Sequence, residues 1–311
     1  MNYIIDIIIP CYNAKDSLFE TLSSISIQIN TPPFKVYLIN DKSDYDYKEE
    51  VKYFSKFFPI EEIKLRKNVG PGGARREGIN RSSSPYIMFI DSDDILYSSE
   101  SISFLYKVML KNDIVISNFI YNRDGVKTVK EKNAIWLHGK LFRRKFLEKY
   151  NINFNDSRAN EDNGFNRLCL LMNPKIYFLD KITYVYRENA NSITRKNNRN
   201  YKIFGLEGFV YNMKWAVDEA LKRGFNEKLV PILANNFLVA LYLDYLCYID
   251  DKDVDNILKY SKDLIPYYKK INKQILVNMI YDRNKILEKE NRRVKCTISF
   301  YEFIERVNNY D

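Results

Sequence analysis

The sequence predicts an α/β fold: a mixed, mainly parallel sheet flanked by helices over residues 1–198, then a mainly α-helical region over 199–311. Three observations carry this. Apolar strand-like runs and helix-period segments alternate through the first hundred residues, and parallel neighbours need such crossovers. Carboxylates and turn residues gather just after the apolar runs, where open α/β sheets bind ligands. From about residue 200 the pattern turns helical and rich in Tyr, Leu and Ile, in roughly four or five segments.

The elements follow in order. "YIIDIII" (3–9) is β-branched and apolar, a buried strand bounded by Pro10. Leu18, Leu22, Ile25 and Ile29 mark a helix over 15–28, with Asp16 or Ser17 available as N-cap. "KVYLIN" (35–40) is a short strand ending at Asp41, 48–57 a helix, and "IEEIKLRKN" contains a third strand. A helix is expected over 74–81 and a strand over 86–90. Beyond these, 114–122 is predicted as strand, and 140–149 and 161–172 as helices. No Gly/Ser linker marks a boundary, so the helical region is expected to pack on the first.

Composition narrows the function classes. Hydrophobic residues make up 46%, enough for a buried core, and no segment reaches the ~18 uninterrupted apolar residues of a membrane span. "MNYIIDIIIP" lacks a basic n-region and carries Asp6, so it is expected to be a strand and not a signal peptide. Cys11, Cys169, Cys247 and Cys296 lie far apart without CxxC pairing, the usage of a reducing cytosol. A single histidine, His138, argues against His-based metal sites and Ser-His-Asp triads, so a metal here would be a hard ion on carboxylates. The net charge of +9 fits an anionic ligand, nucleic acid or an acidic membrane surface, and chooses none of them.

The stretch "YIMFIDSDDILY" (86–97) drives an apolar strand into three aspartates. In extended backbone Asp91 and Asp93 point to the same side, so a turn there can aim both at one cation. Mg²⁺ or Mn²⁺ takes one or two protein carboxylates and completes its shell with water and phosphates, so D-x-D at a strand end suits a metal–diphosphate site. A lone D-x-D equally describes an acidic turn with Asp94 or Ser98 capping the next helix. Glu161-Asp162 likewise serves either as a base or as acidic residues favouring a helix dipole.

Six segments in register resemble the family 2 glycosyltransferases of the GT-A (Rossmann-like) fold, from Ile4 to about Arg195. They are "IDIIIPCYNAKDSLFETLSSISIQ", "VYLINDKSDYD", "KNVGPGGARREGINRSSSPYIMFIDSDD", "GKLFRRKFLEKYNINFND", "NEDNGFNRLCL" and "YVYRENANSITR". Arg76 stands where that family most often has Asn, a departure expected to alter sugar contacts. The resemblance implies inverting displacement at the anomeric carbon of a nucleotide-sugar, a UDP-sugar foremost, with Mn²⁺ or Mg²⁺ as cofactor. It implies a nucleotide-sugar site from Pro10, Tyr12, Asn13, Asp41, Asn68, Gly70, Arg75, Asp91, Ser92, Arg187 and Arg195. In it Asp41 accepts from the uracil N3–H, and Asp93 with Asp91 holds the metal. It gives Asp162 the acceptor proton and Glu161 an orienting role. His138 and Lys140 stand beside the site as candidate acceptor or phosphate contacts. Trp136 and nearby tyrosines are candidates for a sugar platform or for core.

The expected acceptor is a glycan or lipid-linked glycan, handled by a cytoplasmic protein in peripheral contact with a membrane. A second acceptor class, modified DNA, is kept open by basic clusters such as 143–145 and 195–202. A third reading, from another class, is a non-catalytic glycan- or nucleic-acid-binding scaffold on the same fold.

Overall fold

The computed structural model describes residues 2–123, 125–187, 199–250, 254–289 and 292–310. The chain divides into two compact units, 1–196 and 197–311.

The first unit is built on a nine-stranded sheet. Strand β1 (Ile5–Cys11) is buried at all seven positions, as expected of a central strand covered on both faces. It pairs in parallel with β2 (Phe34–Asn40) and with β4 (Tyr86–Phe89), and β2 pairs in parallel with β3 (Ile60–Lys64). The crossovers are α1 (Lys15–Ser26), α2 (Lys48–Phe54) and α3 (Gly70–Arg81). Helix α1 presents Leu18, Leu22 and Ile25 to the core, the apolar stripe read from the sequence. Its N-cap is Ala14 with no side-chain bond, so neither Asp16 nor Ser17 caps it; Asp16 lies in the first turn.

The remaining strands close the sheet with mixed polarity, in the order β3-β2-β1-β4-β8-β6-β9-β5 with β7 beside β6. They are β5 (Ile95–Leu96), β6 (Ile114–Arg123), β7 (Val126–Lys130), β8 (Lys140–Arg143) and β9 (Ile176–Tyr186). β8 fills the gap between β4 and β6, antiparallel to both. Here the structure corrects the sequence. Residues 140–149 were expected to be one helix, but Lys140–Arg143 is strand and only α5 (Arg144–Lys149) is helical. The vacancy between two apolar strands overrides local helix propensity. β9 runs parallel to β6 with a register shift between Ser117 and Phe119. Helix α4 (Ser101–Lys107) follows β5, and α6 (Glu161–Leu171) precedes β9.

Among its described residues the second unit holds α7 (Arg199–Lys222), α8 (Val230–Cys247), α9 (Asp255–Ser261), α10 (Lys273–Lys289) and α11 (Phe300–Asn308), with two short 3₁₀ segments. The segment Glu227–Cys247 is long and apolar enough by composition to cross a membrane. Yet 61% of its apolar window is buried inside this unit, where it packs with Val210, Met213, Phe303 and Val307.

Candidate active site

Three loops leave the carboxyl ends of β1, β2 and β4 side by side, and each carries residues singled out from the sequence. After β1, Pro10 is buried in the strand, Tyr12 is 56% exposed, and Asn13 adopts a left-handed backbone with φ 51°. The Asn13 amide donates to Asp44 Oδ2 at 2.9 Å and accepts from the Asp44 N–H, tying this loop to the one after β2.

After β2, the buried Asp41 carboxylate receives the N–H of Val69 at 2.7 Å on Oδ1 and the N–H of Gly70 at 2.8 Å on Oδ2. These are orphan donors at the start of α3, so Asp41 acts as a cap supplied from outside the helix. Burial raises its pKa, and the two amides pull it back. Asn68 donates to the Asp41 carbonyl, and Gly70 takes the turn at φ 79°, a conformation few other residues accept. Arg158, a residue the sequence reading missed, donates to the side-chain and main-chain oxygens of Asn68 at 3.1 and 3.2 Å. The base contact expected of Asp41 therefore has to share a carboxylate already holding two amides.

The centre of the cluster is Arg75, only 4% exposed. Its guanidinium donates to Asp91 Oδ1 at 2.5 Å and to Glu161 Oε1 at 2.7 Å, while its Nε is buried without a partner. One arginine thus joins the D-x-D loop to the acidic start of α6. Gly72 permits the approach, since a Cβ there would lie 2.8 Å from Glu161 Cγ and 3.1 Å from the Asn155 carbonyl. Burial opposes the charge on Arg75, and Asp91 and Glu161 outweigh it, so the guanidinium is held protonated above its ordinary value. Asp91 is held below the usual carboxylate range: burial raises it, and Arg75 more than offsets this. Glu161 is pushed up to about 7, burial being the larger cause and Arg75 pulling the other way. Asp162 is also raised by burial, against Arg75. Arg76 points elsewhere, donating to Asp156 and the Phe154 carbonyl.

The D-x-D loop is pinned from two sides. Thr21 Oγ1 donates to the carbonyls of Ser92 and Asp94 at 3.0 and 2.7 Å. Asp94, 0% exposed, accepts from the Tyr184 hydroxyl at 2.7 Å and the Arg187 N–H at 2.8 Å. It caps no helix; α4 has Glu100 as N-cap. The third aspartate is an anchor that turns Asp91 and Asp93, both partly exposed, outward. Arg187 shares this work: it donates from Nε to the Asp93 carbonyl and from Nη2 to the Ser17 carbonyl, and pairs with Glu20. A diphosphate contact from Arg187 would require releasing these bonds. Arg195 lies outside the described residues.

His138 is buried, stacked on Tyr184 with ring centroids 5.0 Å apart, its Nδ1 3.7 Å from Asp94 Oδ2. Burial lowers it to about 4, so it is neutral at pH 7. Trp136 packs on Phe119, Tyr121 and His138, partly buried at the edge of the core. Lys140 is 1% exposed, its ammonium bonded to the Ala134 carbonyl and to Asn166. An acceptor or phosphate contact is corrected for Lys140, because it is sealed below the surface.

Ligand atoms of Asp91, Asp94 and His138 lie within 4.8 Å of one another. Two hard oxygen donors and one imidazole suit a small divalent ion. Asp94 is the weak member, because both its oxygens already serve Tyr184 and Arg187.

Residues 6–159 match the family model for glycosyl transferase family 2. An uncharacterized glycosyltransferase of Rickettsia bellii is 34% identical over 119 residues, 38% of this chain and 17% of that one. The chain thus spans under a fifth of that relative's length. Poly(ribitol-phosphate) beta-N-acetylglucosaminyltransferase TarP of Staphylococcus aureus is 27% identical over 216 residues, 62% of this chain and 65% of TarP. The crystal structure of S. aureus TarS 1–349 in complex with UDP-GlcNAc superimposes with a TM-score of 0.69. It covers 93% of this chain and 91% of the TarS 1–349 chain at 16% identity, a likeness of fold.

Proposed function

The chain belongs, through its first unit, to glycosyltransferase family 2, and from that premise we propose that it moves a sugar from a UDP-sugar to a hydroxyl of a glycan, with inversion and a divalent ion. The observation that carries this is Arg75, which binds one carboxylate of the D-x-D loop and one carboxylate of the acidic helix start. A donor half and an acceptor half are thereby joined on a single buried cation. TarS is seen with UDP-GlcNAc and TarP is a β-N-acetylglucosaminyltransferase acting on poly(ribitol phosphate), which favours a UDP-sugar and a surface polymer here.

In this reading Tyr12, Asn68 and Asp41 receive the base at the mouth of the β1 and β2 loops. Asp91 and Asp93 would hold Mn²⁺ or Mg²⁺, which would supply counter-charge for the leaving diphosphate. Arg75, with Nε still to be bonded, faces the same developing charge. Asp162 takes the acceptor proton as the new bond to the anomeric carbon forms. Glu161 is tied to the Arg75 guanidinium, whereas the Asp162 carboxylate accepts from the Asn163 N–H. That contrast leaves Asp162 the carboxylate available for the proton.

A thermal-shift screen with UDP-, GDP- and TDP-sugars plus Mn²⁺ tests the donor, since a ligand of the native state raises apparent stability. The UDP-sugars should give the largest shift, and equal or absent shifts across the panel would contradict the donor assignment. Asp162→Asn should lower transfer by about 10²–10⁴-fold with donor binding kept. Intact transfer in that variant would remove Asp162 as base. Offering a ribitol-phosphate polymer and hydroxylated duplex DNA as acceptors then separates the two acceptor classes.

A further inference from the structure

Helix α6 carries both Glu161 and Asp162 in its first turn, which the Gly164 N–H closes on the Asn160 carbonyl at 3.0 Å. Its N-cap is Asn160, in the left-handed region at φ 58° and without a side-chain cap bond. Capping normally supplies that restraint. Two cations from other elements add to that hold. Arg75 grips Glu161 on one side. Lys140 acts on the other: Nζ donates to the Ala134 carbonyl at 2.6 Å and to Asn166 Oδ1 at 2.8 Å, and Asn166 Nδ2 donates to the Asp162 carbonyl at 2.8 Å.

Lys140 sits on β8 between two apolar strands, beside Leu141 and Phe142. Taking an ammonium out of water there is unfavourable, and its bonds to the Ala134 carbonyl and to Asn166 offset that cost. An unbranched apolar side chain would fill the position without that cost. What the amine contributes there is the pair of hydrogen bonds it makes.

We propose that Lys140 is a positioning residue for the transfer step: through Asn166 its ammonium fixes the first turn of α6 and with it the carboxylate of Asp162. This rests on the reading of Asp162 as the base. It gives Lys140 a role without contact to donor or acceptor. It also makes Asn166, a residue the sequence reading passed over, the link between strand and helix.

The test compares Lys140→Met, Asn166→Leu and the double variant in UDP release from the UDP-sugar selected by the donor screen. Both single variants should lose about ten- to a hundredfold in kcat, as displaced catalytic groups do, with donor KM within about twofold of the parent. The double variant should lose no more than Lys140→Met alone, because one link is cut twice. A general loss of folding would move KM and thermal stability along with kcat, and the two losses would multiply. Amide hydrogen exchange on the unliganded protein gives a reading independent of turnover. It should quicken over residues 162–166 in Lys140→Met and stay unchanged around Asp91. A kcat within twofold of the parent, multiplying losses, or unchanged exchange at α6 would overturn the proposal. Full activity in Asp162→Asn would instead overturn the base reading, with exchange still deciding the hold of Lys140 on α6.

Discussion

The two ends of the same sheet each bury an arginine against carboxylates, and they do so differently. At the amino end, Asp6 of β1 receives the N–H groups of Ser83 and Ser84, the Ser84 hydroxyl and the Arg144 guanidinium. All three nitrogens of Arg144 are bonded, to Ser84, Ile79, Asp6 and Ser82. That network is closed. At the carboxyl end, Arg75 faces two bonded carboxylates with Asp162 beside them and keeps one buried nitrogen unpaired. That network is open and overcharged. A fully satisfied ion pair holds a fold, while an unsatisfied one invites a ligand.

Removing each arginine should break the comparison in opposite ways. Arg75→Met is expected to cost transfer about 10²–10³-fold, the usual loss for a donor facing developing charge. Its effect on folding should be small, because Asp91 is partly hydrated and Glu161 can take up a proton. Unimpaired transfer in Arg75→Met would put the open network outside the chemistry. Arg144→Met should lower unfolding free energy by about 3–5 kcal/mol in denaturant titration, since Asp6 is left buried without its cation. UDP binding by the folded fraction should be unchanged. A stability loss as large in Arg75→Met as in Arg144→Met would erase the distinction between the two ends.

The pH dependence sharpens it further. Glu161 has a folded value near 7 against an ordinary 4.5, so the folded protein favours its protonated form. That contribution to stability is complete below pH 4.5 and is lost as pH rises through 7. Glu161→Gln removes the titration, so the melting temperature of the parent should fall relative to the variant between pH 5 and pH 8. A constant difference across that range would contradict the open network.

Much of this end of the sheet is legible in the sequence. The alternation of strand and helix put Tyr12, Asp41 and the D-x-D on neighbouring strand ends, because parallel strands deliver their carboxyl ends to one edge. Less of what supports them was visible. Thr21 and Tyr184 act on the D-x-D loop, and Lys140 on Asn166, from distant positions in the chain, and no spacing announces such contacts. Residues 140–143 misled for a related reason: the two strands flanking β8 decide its conformation, and neither is near it in sequence. Arg187 is a nucleotide-sugar contact by family resemblance, and Lys140 is a candidate contact from its place beside the site. Burial and existing bonds give both of them internal work.

The most direct test of the open network as a nucleotide–metal site is calorimetric titration of UDP into the parent and Asp93→Asn, each with Mn²⁺ and with EDTA. The parent should bind UDP about tenfold or more tightly with Mn²⁺, a gain of about 1.4 kcal/mol, and Asp93→Asn should show no such gain. Binding that ignores Mn²⁺ in the parent, or an undiminished gain in Asp93→Asn, would contradict it.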